Sequence, residues 1–503
     1  MRMNKYLRIF FLLITILNLW FVTWFVRQGD VMFSSDIGRD FFILDEIRQK
    51  TVVLIGPRSS APGFYHGVFW SYLTYPAFAI GQGNPITVAW FYIVLIIVVL
   101  IGYFFIAKKL FGELAAWLFV IFVSQYMVFQ THQLFHPYGA FFLFPFIFFC
   151  FIRYLQTHAI KFLIIHVLLV GAAFQSELAV GAPLLILSYG YITYDIFKKK
   201  NFKHLLAYLL FAIPLIPYVL FDIRHNFGMV HAGIRQLGQA DGAKTFSSLI
   251  ANRLDVMFTG IEFLRHGIRF GSAYTCITFL IMLVYTMIKY PKFRFIYGFF
   301  LYFFIGYFAL SLLNRYNLLY FYTFPIFLFV FLIFTSLATM PSKIEKALFL
   351  LFFSLIVYTN YQGIAANINN WKTIFVGSSP YSWKALLEVS NTVFTSSDNN
   401  FGYFVFSPDI MAYEPRYAMQ YASTKSNKTF YPFVKKTVTY IITAPQNGTY
   451  MTYDWIKQKM AITGEPVETI PFPNGYTIYK HQLTPEEIAV PYDEGINPGL
   501  HYR

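Results

Sequence analysis

Carboxylates are concentrated in one short segment, residues 30–67, which follows the first apolar stretch and precedes the second. Five acids lie there, whereas the rest of the first third of the chain has almost none: Asp30, Asp36, Asp40, Asp45 and Glu46. Charged groups near hydrocarbon are costly and are therefore candidates for function. An ionised carboxylate can take a proton from a hydroxyl. The segment therefore predicts general-base chemistry at a membrane surface, with Asp36 as the base.

A short helix is expected to position Asp36. After Ser34, the apolar residues Phe41, Leu44 and Ile47 recur at helical spacing among polar ones, which predicts an amphipathic helix lying in the membrane interface. Asp36 would stand at its start, where Gly38 is expected to keep the backbone flexible.

The alternative is that Ser35 or Asp36 only caps this helix. A helix N-terminus favours an ionised carboxylate, so capping and proton transfer are compatible. Asp45 and Glu46 are expected on the solvated face of the helix. Asp40 is expected there too, with a substrate-pocket role as its alternative.

The segment ends in Gly56-Pro-Arg-Ser-Ser-Ala-Pro-Gly-Phe-Tyr-His-Gly67, a loop that either folds over a site or only connects helices. Tyr65 and His66 are candidates for lining a substrate pocket, although aromatics here also suit a membrane belt. Glu177, near the end of a later apolar stretch, is a further pocket candidate because acids at that depth are rare.

Histidines raise the question of a metal. His132 and His136 flank a loop that contains Pro137, and divalent metal binding there is one interpretation. Ordinary polar contacts are the favoured interpretation because the spacing is loose, and His132 is also a candidate for the substrate pocket. No cofactor is therefore expected, with a divalent metal as the alternative.

Composition places these residues in a membrane protein. The chain has 503 residues, of which 57% are hydrophobic and only 13% charged, whereas soluble domains are about 25% charged. The formal charge of +15 is spread between apolar stretches rather than gathered in one stripe, which argues against a nucleic-acid partner. Eleven membrane spans are predicted, at residues 9–26, 85–107, 114–130, 140–156, 162–177, 178–196, 202–221, 274–288, 295–313, 320–339 and 347–360.

Loop charges predict the orientation. The loops on one side carry sixteen Lys or Arg against three acids, whereas loop 27–67 carries five of each. The positive-inside rule puts the N-terminus in the cytoplasm and the first outer loop, 27–84, outside. A transmembrane domain over 1–360 and a small extracytoplasmic α/β domain over 361–503 are predicted, the latter from strand-like pieces at 403–407, 437–443 and 476–480.

The motifs together resemble the GT-C membrane glycosyltransferases, in the branch of protein O-mannosyltransferases and aminoarabinose transferases. The resemblance covers most of residues 1–340. It rests on Asp36 with Arg39 three residues later, on the aromatic YHGVFWSYL stretch, and on SQYMVFQTHQLFHPYG (124–139), FQSELAVG (174–181), PLIPYVLFDIRHNF (214–227) and NRYNLLYFYTFPI (314–326).

The resemblance implies a polytopic GT-C fold and a glycosyltransferase that takes its sugar from a polyprenyl-phosphate donor, with the first-loop Asp as base. The family often has Asp-Glu where this chain has Asp36-Ile37, which leaves a second carboxylate role open. The leaving phosphate needs cations, and the candidates are Arg224, His225, Arg315 and Arg39. Arg224 could instead anchor to lipid headgroups.

Two other classes stay open. A transporter or flippase of lipid-linked sugars would favour internal repeats and acids at mid-membrane, whereas here the acids lie at the outer boundary and no repeat is visible. A non-catalytic membrane protein with a partner-binding outer domain is the third. The membrane lipid is an expected partner in each case, and the sequence leaves the acceptor and the sugar open.

Overall fold

The computed structural model describes residues 3–59, 63–131, 133–134, 136–238, 245–260, 272–313, 318–319, 322, 324–397, 400–409, 411–445 and 452–496. His132 and Arg315 lie outside these ranges.

Helices account for most of the described residues up to position 374. They are α1 (Lys5–Val22), α2 (Trp24–Arg27), α3 (Ser35–Lys50), α4 (Phe69–Ile80), α5 (Pro85–Phe111), α6 (Glu113–Val128), α7 (Tyr138–Thr157), α8 (Ile160–Ser176), α9 (Leu178–Lys199), α10 (Ala212–Arg224, preceded by a 3-10 helix, Phe202–Phe211), α11 (Gly228–Gly238), α12 (Phe246–Gly260), α13 (Ser272–Lys289), α14 (Pro291–Ser311), α15 (Phe324–Ser336, followed by a 3-10 turn, Leu337–Thr339) and α16 (Lys343–Ile374).

The predicted spans are confirmed. Within the described residues, seven helical stretches are long and apolar enough to cross a membrane, and four shorter apolar helices accompany them. Together they coincide with the eleven spans predicted. The last one, α16, runs 32 residues and passes through position 360, where the sequence placed the domain boundary.

Polar side chains tie the spans together in the interior. The side-chain amide of Asn18 in α1 donates to the Ser124 hydroxyl of α6 at 2.8 Å. The Tyr361 hydroxyl of α16 donates to Oδ1 of the same Asn18 side chain at 2.6 Å. Asn360 donates to the Gln125 side chain at 3.2 Å. Such interhelical hydrogen bonds matter in a membrane because burial there provides no water as an alternative partner.

The C-terminal part forms a mixed sheet covered by helices. It comprises α17 (Trp383–Ser396), β1 (Asn400–Phe406), α18 (Tyr413–Ser423), β2 (Thr429–Pro432), β3 (Val438–Thr443), α19 (Tyr453–Met460), β4 (Glu468–Pro471), β5 (Thr477–Gln482) and α20 (Pro485–Ala489). The strand order is β2-β1-β3-β5-β4, with β1 parallel to β2 and β3, and β5 antiparallel to β3 and β4. The predicted small α/β domain is therefore present.

A buried carboxylate joins this domain to the first loop. Asp30 accepts hydrogen bonds from the Ser382 hydroxyl at 2.6 Å, the Lys384 amide at 3.0 Å and the Gly377 amide at 3.3 Å. Phe33 N also donates to Tyr381 O at 2.7 Å. The loop after α1 and the segment after α16 therefore lie on the same face of the protein, as the charge pattern predicts.

Candidate functional site

The first turn of α3 holds the proposed base. Asp36 lies there with its side chain about half exposed, and Arg39 Nη1 approaches its Oδ1 at 3.0 Å. The other terminal nitrogen of Arg39 lies 3.6 Å from Asp40 Oδ1. One guanidinium is thus shared by two carboxylates.

Two expectations about α3 are wrong. Its N-cap is Ser34, not Ser35 or Asp36. Asp40, Asp45 and Glu46 are buried rather than solvated. Asp45 is covered by α18 of the C-terminal domain, which packs along α3 and whose Gln420 donates to Asp45 Oδ2 at 2.7 Å. Asp40 instead faces His136, whose Nδ1 lies 3.0 Å from Asp40 Oδ2.

Gly38 has a different role from the flexibility predicted. It lies inside α3, and a Cβ built on it would stand 2.9 Å from both the Glu414 amide nitrogen and the Tyr413 carbonyl carbon. Its missing side chain lets the backbone of α18 approach α3 directly.

The Gly/Pro-rich loop folds back on itself and docks on the end of α8. Gly56 N donates to His66 O at 2.8 Å, and His66 N donates to Pro57 O at 2.9 Å. Gly67 N then donates to Gln175 O at 2.7 Å. The loop therefore presents His66 to the interior as part of a fixed structure rather than as a mere connection.

His66 meets residues from two distant parts of the chain. His66 Nδ1 lies 3.8 Å from Glu177 Oε1, and the His66 and His136 rings are 4.6 Å apart between centroids. His136 Nδ1 in turn lies 3.0 Å from Asp40 Oδ2. All four side chains are buried. The structure thus brings three predicted pocket residues, Asp40, His66 and Glu177, together with His136, and Arg39 connects them to Asp36.

Burial sets the charges in this group. It lowers the pKa of His66 well below the usual range, with His136 and Arg39 adding to the effect. Glu177 lies between α8 and α9, and burial raises its pKa to about 7. His66 and Glu177 are therefore not a charged pair, in spite of their proximity.

The C-terminal domain contributes residues that the sequence did not single out. The Ser35 hydroxyl donates to Asp409, and Glu414 lies buried where α18 meets α3. Burial raises the pKa of Glu414 to about 7, and the negative charges of Asp409 and Asp36 add to the shift. The charged run Tyr413-Glu-Pro-Arg-Tyr417 in an otherwise apolar stretch was the available signal.

The remaining predicted cations lie apart. Arg224 and His225 end α10 and are exposed, and His225 stacks on Phe221 at 3.9 Å between ring centroids. Phe221 also contacts Tyr65, at 5.4 Å between centroids. Among the hydrogen bonds and ion pairs of the described residues, none joins Arg224 or His225 to Asp36. Their phosphate-binding role stays a prediction, as do the roles of His132 and Arg315.

Comparison with known proteins identifies solved structures with a similar fold. No family model matches the sequence, and no curated protein matches it. The crystal structure of ArnT from Cupriavidus metallidurans bound to undecaprenyl phosphate is similar, with a TM-score of 0.62 and 12% identity over 95% of this chain and 98% of that one. Apo ArnT gives a TM-score of 0.59 and 10% identity over 94% and 97%.

ArnT is an aminoarabinose transferase with the GT-C fold. The similarity spans the membrane helices and the C-terminal domain alike, since it covers nearly the whole of both chains. The polytopic GT-C fold predicted from the motifs is therefore confirmed.

Proposed function

We propose that this protein is an inverting glycosyltransferase that moves a sugar from a polyprenyl-phosphate donor to an acceptor hydroxyl at the outer face of the membrane. The observation that carries the proposal is the ArnT-like fold over almost the entire chain, because ArnT was crystallised with undecaprenyl phosphate. Asp36, on the first loop and next to Arg39, supplies a base at the expected place.

The half-exposed carboxylate of Asp36 fits the role of the base. It accepts the proton of the acceptor hydroxyl as the oxygen attacks the anomeric carbon. The bond from that carbon to the phosphate oxygen breaks with its electron pair on the phosphate, through an oxocarbenium-like transition state. Attack opposite the leaving group inverts the anomeric configuration.

The polyprenyl phosphate leaves with additional negative charge, which a positioned cation stabilises. Arg39 is the candidate beside Asp36, where it also orients the carboxylate. Arg224 and His225 are candidates on the far side of Tyr65, connected to it through Phe221. An exposed guanidinium at the end of α10 can receive a phosphate bidentately.

The test is incubation of the purified protein with a panel of undecaprenyl-phosphate sugars, with membranes as the source of acceptor. Asp36→Asn is expected to lower turnover by about 10²–10⁴-fold, the usual contribution of a general base. The matched control is Asp454→Asn, which removes an exposed first-turn carboxylate from α19. Turnover by Asp36→Asn equal to that of the control would reject the base assignment.

A further inference from the structure

Three buried side chains from separate parts of the fold converge on one point. His66 comes from the docked loop, His136 from the segment just before α7, and Glu177 from the junction of α8 and α9. One donor atom from each lies within 4.8 Å of the other two. No other group of three or more such side chains occurs in the described part of the chain.

Two atoms of this group have no hydrogen-bond partner. They are His66 Nδ1 and Glu177 Oε2, both buried away from solvent. Glu177 Oε1 accepts from the Ala179 amide at 3.2 Å, so the carboxylate itself is held in place as the N-cap of α9. Leaving buried polar atoms unsatisfied is unfavourable, and a ligand bound between them would offset that cost.

The donor set indicates which ligand. Two imidazoles and one carboxylate form the ligand set of catalytic zinc sites, which keep a fourth position open. We propose that His66, His136 and Glu177 bind a divalent transition-metal ion, for which zinc is the best match. This departs from the sequence-based expectation of no cofactor, which considered His132 and His136 without Glu177 and His66.

The distances suit such an ion after a small adjustment. Bond lengths of about 2.0–2.2 Å hold tetrahedral ligands about 3.3 Å apart. The His66 Nδ1 to Glu177 Oε1 distance is 3.8 Å, and the largest donor separation is within 4.8 Å. The donors therefore need to close by about 0.5–1.5 Å, which side-chain rotation can supply without movement of the backbone.

Asp40 occupies the position of an outer-sphere partner. A metal-bound histidine usually donates its other ring N–H to a carboxylate, which fixes the tautomer and orients the ring. The 3.0 Å contact between His136 Nδ1 and Asp40 Oδ2 has this arrangement and assigns coordination to His136 Nε2. Asp40 is therefore a positioning residue for the site.

A second histidine–carboxylate contact has no third potential metal ligand beside it among the residues that the structure describes. His158 Nδ1 lies 3.3 Å from Asp195 Oδ2, between the end of α7 and α9. No third donor joins this pair within the described ranges. It therefore serves as the control for a histidine next to a carboxylate without a metal site.

Metal content tests the site. The full-length protein, purified in detergent, is stripped with a chelator, dialysed and reloaded with Zn²⁺, and bound metal is measured by elemental analysis. About one zinc ion per chain is expected in the wild type. His66→Asn and Glu177→Gln are expected to lose it, whereas His158→Asn keeps it. Asp40→Asn is expected to weaken binding by about 10–100-fold, as loss of an outer-sphere carboxylate does.

Reloading with Co²⁺ provides a readout that needs no variant. Tetrahedral coordination is expected to produce strong visible absorption in the wild-type protein, and Zn²⁺ is expected to abolish it. Wild-type protein that takes up neither ion would overturn the proposal, and so would equal zinc in His66→Asn and His158→Asn.

Binding of the ion is independent of the proposed function. A role for the ion in sugar transfer rests on that function. The site lies next to Asp36, since Arg39 pairs with both Asp36 and Asp40. An open metal position there could hold a phosphate oxygen of the donor. If zinc binds but no donor in the panel is consumed, the metal site stands and the glycosyltransferase proposal fails.

Discussion

Gly38→Ala is expected to destabilise the protein, although replacing a glycine inside a helix by alanine normally stabilises it by about 0.5–1 kcal/mol. The new Cβ would stand 2.9 Å from two backbone atoms of α18, the Glu414 nitrogen and the Tyr413 carbonyl carbon, and 3.0 Å from the Tyr413 oxygen. Backbone atoms cannot rotate out of the way as a side-chain end can. The two helices must therefore separate by about 0.5 Å or bend.

Such overpacking costs about 1–3 kcal/mol, and subtracting the gain in helix propensity leaves a net loss of about 1 kcal/mol at the middle of both ranges. The melting temperature of the detergent-solubilised variant is expected to fall below that of the wild type. Protease release of the C-terminal domain is expected to become faster, because α18 attaches that domain to α3.

The matched control is Gly363→Ala in α16. This glycine is also helical, and a Cβ on it meets no atom within 4 Å. The control is expected to keep or raise the melting temperature. If Gly38→Ala raises it by the same amount, α18 does not press on Gly38, and the close contact between the two helices is refuted.

Three other changes probe the C-terminal domain, its contacts with the first loop and its side of the membrane. Asp30→Ala removes the acceptor for three donors of the segment 377–384. Each donor left unsatisfied costs about 1–3 kcal/mol, so this variant should lower the melting temperature more than Gly38→Ala does. Because the pKa of Glu414 is raised to about 7, its stabilising contribution is fully present below pH 4.5 and is lost as the pH rises to about 7. Glu414→Gln should therefore reduce the change of melting temperature with pH over that interval. If the melting temperature of the variant changes with pH as much as that of the wild type, another group causes the dependence. A tag after the C-terminus should be cleaved by protease added outside intact cells, and protection of the tag would reverse the predicted orientation.

Periodicity and apolar length were enough to predict the membrane helices. Eleven apolar stretches became helices at nearly the expected bounds because each span must satisfy its own backbone hydrogen bonds in hydrocarbon. The helix after Ser34 was also predicted correctly, since its apolar residues recur at helical spacing. In the C-terminal domain, β1, β3 and β5 were anticipated, whereas the four-residue strands β2 and β4 are too short to leave a pattern.

Contacts between distant segments account for what was missed. Asp45 was assigned to solvent because nothing in residues 35–50 reveals that Gln420 of α18, 375 positions later, donates to it. Asp40 was assigned there because nothing in the same residues reveals that His136 approaches it. For the same reason the sequence ranked His66, Glu177 and Asp40 as separate candidates and gave no sign that they meet. Residue type marked these side chains as candidates, but only tertiary packing shows which of them share a site.

The length of α16 has a mechanical consequence. At 1.5 Å per residue its 32 residues extend about 48 Å, whereas the hydrocarbon layer is about 30 Å thick. About twelve residues must therefore project as a rigid stalk, and the polar sequence after Tyr361 suits that position. The height of the sheet above the bilayer is set by this stalk and by the packing of α18 on α3. A thinner or thicker bilayer would then move the C-terminal domain and α3 together, and the sheet would keep its distance from Asp36.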